Sequence, residues 1–184
     1  MKVGLFVDRD GTLNVDKGYT HRPEDLVLVD GASGLLRFAE QQGFVISIVS
    51  NQSGIARGMY SEADFQNFTN SLIRALELKG GSDVEVRFCP HLPESSCQCR
   101  KPAPGMIIEI AKIKNICLEH SVFVGDTDAD LWAGIHANVG FIFKLTKGET
   151  GDMKIAHSQV VLVQDLKEAL EQIRKLDLQA RCEH

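Results

Sequence analysis

Short apolar runs alternate along this chain with segments whose apolar residues recur every three or four positions. Val3–Val7 is a continuous apolar run and predicts a buried strand. Ala32–Gln42 carries Leu35, Leu36 and Ala39 at helical spacing, and Gly43 is a suitable stop. Val45–Val49 predicts the next strand. Ser61 is a candidate N-cap for a helix to about Leu78, and Val84–Phe88 predicts a third strand. Pro104 opens a predicted helix to about Lys114, where proline is tolerated in the first turn. Beyond it come strand Val122–Val124, helix Asp130–Ala137, strands Val139–Phe143 and Val160–Val163, and an amphipathic helix Leu166–Leu176. Such alternation predicts an α/β fold: a Rossmann-like, mainly parallel sheet with helices on both faces. No repeat or linker interrupts it, so residues 1–176 are expected to form one domain and 177–184 a polar tail that frays.

Composition narrows the class. The 184 residues suffice for one hydrophobic core, and 43% hydrophobic with 24% charged residues indicates a globular chain. A net charge of -5 gives no general attraction to nucleic acid or to anionic membranes. No apolar run is long enough to span a bilayer, and Met1–Gly4 leads straight into a strand without a signal-peptide pattern. The expectation is a cytoplasmic monomer that acts on a small molecule. Its five cysteines are then reduced, and clustered ones bind metal.

Four segments that follow predicted strands or open helices carry chemistry. Asp8-Arg9-Asp10-Gly11-Thr12 projects two carboxylates from the first strand's end, where open α/β sheets bind ligands. Like charges this close call for Mg²⁺ or a held proton, and suit a carboxylate that does covalent or acid–base work. Ser50-Asn51-Gln52-Ser53-Gly54 offers a hydroxyl and backbone N–H groups to a phosphate. Arg100-Lys101-Pro102 offers two cations. Gly125-Asp126-Thr127-Asp128-Ala129-Asp130 offers acids for Mg²⁺, one of which is expected to cap a helix. Each also has an ordinary alternative: a turn, a polar loop, a solvated pair, a cap. Separately, Cys89, His91, Cys97 and Cys99 form the ligand set of a closed structural Zn²⁺ site, while Cys117 reads as core packing and Cys182 as a bystander.

Taken in order, these motifs resemble the haloacid dehalogenase phosphatase superfamily over essentially the whole chain. The resemblance implies a two-step phosphoryl transfer. Asp8 is then the nucleophile, Asp10 the acid and base, and Ser50 and Lys101 steady the phosphoryl. Mg²⁺ sits on Asp8, Asp126 and the Asp10 carbonyl, with Asp130 in support. The zinc loop, Ser50–Gly58 and Cys99–Met106 are similar to the D-glycero-D-manno-heptose 1,7-bisphosphate 7-phosphatase branch. That likeness implies sugar-phosphate contacts from Asp16, Lys17, Gly18 and Tyr19, from Ser50, Asn51, Gln52 and Ser53, and from Arg100 and Lys101. It also implies a role in heptose supply for bacterial lipopolysaccharide or surface polysaccharide. The chain departs from the branch where Ser50 replaces Thr and where Thr127 replaces a frequent Lys. The gaps between motifs leave no room for a cap domain. Histidinol-phosphate phosphatase is the alternative within this superfamily. A zinc-knuckle nucleic-acid binder is disfavoured by the negative charge and 7% aromatics, and an inactive binding protein by the intact acids and lysine.

Overall fold

The computed structural model describes residues 1–78, 84–148, 159–176 and 178. Strands β1 (Gly4–Val7), β2 (Val45–Asn51), β3 (Glu85–Cys89), β4 (Val122–Gly125), β5 (Phe141–Leu145) and β6 (Val160–Val163) form one parallel sheet in the order β3-β2-β1-β4-β5-β6. Helices α1 (Ala32–Gln41), α2 (Ser53–Ala56), α3 (Glu62–Ala75), α4 (Gly105–Lys114), α5 (Asp128–His136) and α6 (Leu166–Ile173) connect and cover them. Chain direction through the sheet reverses beside β1, so the C-terminal ends of β1, β2 and β4 flank the crevice where such sheets bind ligands.

Period-two alternation splits the core. Leu5 and Val7 face one layer with α1 and α6, while Phe6 faces the other with α4 and α5. Both layers are closed to water, which is why the strands read as apolar runs rather than alternating ones. All strands of the described residues belong to this sheet, and no second sheet stands over its edge. No helix of the described residues is long and apolar enough to cross a membrane.

Several boundaries differ from expectation. β5 lies two residues later than predicted and includes Lys144, whose charge interrupts the apolar run. β3 runs to Cys89, which pairs with Asn51 and brings the cysteine loop beside the end of β2. Helix α5 starts at Asp128 rather than Asp130, because Thr127 caps it. Helix α3 ends at Ala75, short of Leu78. A 3₁₀ turn at Pro23–Asp25 and the four-residue α2 add to the predicted elements. Cys117 is half-buried and stands outside both core clusters, its carbonyl accepting from the Ser121 hydroxyl. Leu178 packs into the core on the α6 side. Cys182 and the rest of the expected tail lie outside the described residues.

Candidate active site

Asp8 leaves β1 with its backbone N–H donating to the Val124 carbonyl of β4, which fixes its side chain over the crevice. It is almost fully buried. Its Oδ1 lies 2.5 Å from the Lys101 ammonium. That ammonium also meets Asp130 Oδ1 at 2.6 Å and donates to the Val49 carbonyl at 2.8 Å. Lys101 is positioned from β2: the Asn51 amide donates to its carbonyl at 2.9 Å and accepts from its N–H at 3.0 Å. Burial pushes the Asp8 carboxyl well above its ordinary pKa, with Lys101 opposing and Asp130 and Asp10 adding to the rise. Burial alone would lower Lys101, but Asp130 and Asp8 outweigh it and hold the ammonium above its ordinary value.

Asp126 follows β4. Thr12 Oγ1 donates to its Oδ1 at 3.2 Å, and Lys147 holds its Oδ2 at 2.6 Å. The Lys144 ammonium binds its backbone carbonyl. Gly11, at φ +83°, passes so close that a Cβ there would overlap the Asp126 carboxylate. Only glycine permits both that conformation and that approach. Carboxylate oxygens of Asp8, Asp126 and Asp130 come within 4.8 Å of one another, a spacing one cation can bridge. Asp130 completes a capping box with Thr127 while its other oxygen meets Lys101. Asp128 is 71% exposed and stands apart from this group.

Asp10 faces a different neighbourhood. Its Oδ2 accepts from Arg9 Nη2 at 2.7 Å and from Gln52 Nε2 at 2.7 Å, and its Oδ1 from Asn14 Nδ2 at 3.1 Å. Gln52 Nε2 also donates to the Ser50 hydroxyl at 2.7 Å. Beside Asp10 opens a cavity of about 230 Å³. Asp16, Gly18 and Tyr19 line it together with Asn51, Gln52, Ser53 and Tyr60. Asp16 caps its own turn by accepting from the Gly18 N–H at 2.8 Å, while Lys17 is exposed and is not among the lining residues. Burial raises the Tyr60 hydroxyl to about 12, so it remains a donor.

Arg9, Asn14, Tyr60, Lys144 and Lys147 are the residues that sequence reasoning missed. Arg9 stands between the two flagged acids, in a segment whose ordinary alternative is a turn. It is instead 1% exposed, with its guanidinium 4.8 Å from each of the Phe65 and Phe68 ring centres.

The four sulfur and imidazole ligands also converge. Cys89 Sγ is 3.6 Å from Cys97 Sγ, and His91 Nδ1 is 3.4 Å from Cys89 Sγ and 3.3 Å from Cys99 Sγ. Tetrahedral Zn²⁺ with Zn–S of about 2.3 Å and Zn–N of about 2.0–2.1 Å needs ligand separations of roughly 3.5–3.8 Å. The cluster is within a few tenths of that spacing. Burial pushes the Cys89 thiol up to about 12. At Cys97 burial is outweighed by the Arg100 backbone N–H and neighbouring thiols, and the pKa falls to about 7. Arg100 turns its guanidinium to the His91 carbonyl at 3.3 Å. Gln98 packs its carbonyl against Gly105 at the start of α4, where no side chain would fit.

Comparison with known proteins is consistent along the chain. The family described as "Polynucleotide kinase 3 phosphatase" matches residues 5–171. The D-glycero-beta-D-manno-heptose-1,7-bisphosphate 7-phosphatase of Helicobacter pylori is 39% identical over 171 residues, 92% of this chain and 96% of that protein. The D-glycero-alpha-D-manno-heptose-1,7-bisphosphate 7-phosphatase of Campylobacter jejuni is 36% identical, covering 74% of this chain and 78% of its own. The crystal structure of D,D-heptose 1.7-bisphosphate phosphatase from B. bronchiseptica, complexed with magnesium and phosphate, superposes with a TM-score of 0.80 at 29% identity, covering 95% of this chain and 98% of that one. With this sheet order and these acids at its edge, the chain belongs to the polynucleotide kinase 3 phosphatase family and is a phosphoric monoester hydrolase of the haloacid dehalogenase type.

Proposed function

We propose that this chain hydrolyses the 7-phosphate of D-glycero-D-manno-heptose 1,7-bisphosphate and leaves the 1-phosphate in place. The observation that carries the chemistry is Asp8: a buried carboxylate at the sheet edge, held 2.5 Å from a buried lysine and two residues before Asp10, which lines an open polar cavity. Asp8 attacks phosphorus and the bond from phosphorus to the sugar oxygen breaks, while Asp10 delivers a proton to that oxygen. Water, deprotonated by Asp10, then attacks the aspartyl-phosphate, releasing inorganic phosphate and restoring Asp8. Dividing the transfer this way replaces one hard step with two easier ones. Ser50 and Lys101 hold the phosphoryl oxygens.

The residues fit two metals. Asp8 and Asp126, with the Asp10 carbonyl, would hold Mg²⁺, and glycine at position 11 keeps a side chain from overlapping the Asp126 carboxylate. Bound there, Mg²⁺ supplies positive charge to the transferring phosphoryl. Cys89, His91, Cys97 and Cys99 would hold a structural Zn²⁺ that orders the loop preceding Arg100 and Lys101. The sugar is read by Asp16, Gly18 and Tyr19 and by Ser53, with Arg100 toward the second phosphate. The relatives named for the heptose bisphosphate support this substrate. We place the reaction in the cytoplasm, in heptose supply for surface polysaccharide, with a monomer as the working unit and residues 1–176 as one domain.

The test is phosphate release with Mg²⁺ from four substrates: the α and β heptose bisphosphates, histidinol phosphate and a 3′-phosphorylated oligonucleotide. The proposal expects a heptose anomer to lead in kcat/KM, with one phosphate released per molecule. Faster turnover of histidinol phosphate or of the oligonucleotide overturns it.

A further inference from the structure

We propose that Gln52, with Arg9, is a positioning residue that brackets Asp10 and Ser50, and that Gln52 makes no contact with substrate. This rests on Asp10 acting as the proton-transfer group, as proposed above.

A primary amide offers two donors and two acceptor sites. All four are occupied at Gln52. Its Nε2 donates to Asp10 Oδ2 and Ser50 Oγ, both at 2.7 Å. Its Oε1 accepts from Tyr60 Oη at 2.6 Å and from Arg9 Nη2 at 3.1 Å. The partners themselves fix the amide's orientation. A guanidinium can only donate, and Asp10 Oδ2 already accepts from it, so the reversed amide would oppose like groups at both ends. Gln52 is 2% exposed, and a satisfied network in a low-dielectric interior is stiff. Although it borders the cavity, it has no hydrogen-bonding capacity left for a sugar.

The bracket has two chemical consequences. Ser50 Oγ accepts from Gln52, so its own proton is directed elsewhere and can serve a phosphoryl oxygen. Asp10 Oδ2 is taken by Arg9 and Gln52, whereas Oδ1 accepts only from Asn14 among the described residues. Oδ1 is therefore the oxygen free to exchange the catalytic proton. Arg9 anchors the assembly at both ends. Its guanidinium lies against Phe65 and Phe68 of α3, and its Nη2 donates to the Thr20 carbonyl at 3.1 Å, closing the Asp16–Tyr19 loop onto the same group.

The experiment compares Gln52→Met and Tyr60→Phe in the full chain with Mg²⁺. It uses an alkyl sugar phosphate, whose leaving group needs a proton, and p-nitrophenyl phosphate, whose leaving group does not. First-turnover release is followed alongside steady-state kcat and KM. Gln52→Met should lower kcat on the alkyl phosphate by about 10²-fold, the scale of a small misplacement of a catalytic group. First-turnover release from the aryl phosphate should fall by less than about tenfold, and KM should move by no more than about twofold. Added to Asp10→Asn it should cost almost nothing more, because both changes remove the same function. Tyr60→Phe keeps the ring and loses one O–H. It should show the same pattern at roughly a third to a tenth of wild-type kcat. A raised KM with kcat retained, or losses that multiply in the double variant, would overturn the bracket. If Gln52→Met does not fold, Tyr60→Phe decides alone, and an unchanged kcat overturns the proposal. Asp10→Asn that keeps full alkyl turnover overturns the acid–base reading instead, and is seen before either Gln52 variant is considered.

Discussion

Two clusters among the described residues bring metal-ligating atoms within 4.8 Å of one another, and they are built in opposite ways. The carboxylate cluster of Asp8, Asp126 and Asp130 rests on strand ends and a helix cap, above a closed core, and has its own buried cation in Lys101. The sulfur and imidazole cluster of Cys89, His91, Cys97 and Cys99 has one ligand on a strand and three on a polar loop that is half-exposed. The first is organised by ion pairs and hydrogen bonds within the fold. The second has little apolar surface to bury and is held mainly by what its ligands share. Burial of charge is tolerated in the first because Lys101 stands between two carboxylates. In the second, thiols at such spacing gain by losing their protons to a metal.

Removing Asp8 tests the first cluster most severely. Asp8→Asn should lower turnover on the order of 10⁴-fold or more and leave no hydroxylamine-sensitive phosphoprotein after an acid quench. The fold should persist, because Lys101 keeps Asp130. Near-normal turnover would remove the covalent mechanism. Lys101→Met goes further on stability. It strands two buried carboxylates, so urea unfolding should show a loss of about 3–5 kcal/mol, along with at least a 10²-fold fall in kcat. A stability change near zero would mean that Asp8 or Asp130 takes up a proton at little cost, and that the cluster is not organised by its ion pairs.

The second cluster should respond in the reverse proportion. Cys97→Ser, or removal of bound zinc by chelation, should lower kcat/KM by roughly tenfold by loosening Arg100 and Lys101. The urea midpoint of the sheet should move little. Metal analysis of the purified protein is the direct check. A zinc-free chain with full activity would show that the loop orders itself. The smallest effect is expected at Thr127→Ala, which removes a helix cap and one constraint on Asp130. It should cost about 1 kcal/mol in unfolding and leave kcat within a few-fold. A larger kinetic loss would tie the cap to the placement of Lys101 more tightly than the comparison implies.

The contrast between Gln52 and Asn51 sharpens what a motif can say. Asn51 ends β2 and Gln52 follows it, within the segment whose sequence predicts a phosphate cradle. In the fold Asn51 uses its amide to clasp the Lys101 backbone, and Gln52 uses all of its own on Asp10, Ser50, Arg9 and Tyr60. Neither role can be seen locally, because every partner except Ser50 comes from another element. Arg9 was overlooked for the same reason: its aromatic walls come from α3, about sixty residues later.

The sequence alone determined the order of strands and helices, because burial on two faces leaves apolar runs and burial on one leaves helical spacing. It also determined which strand ends carry acids, since a loop cannot hide a carboxylate pattern, and it marked the sulfur ligands by their proximity in the chain. What it left open was pairing. Lys101 between Asp8 and Asp130, Lys147 on Asp126, and Arg9 between two phenylalanines are contacts across 21 to 93 residues. Only the crossover topology decides them, by setting the ends of β1, β2 and β4 side by side, and no local pattern of apolar and polar residues encodes which strand ends will be neighbours.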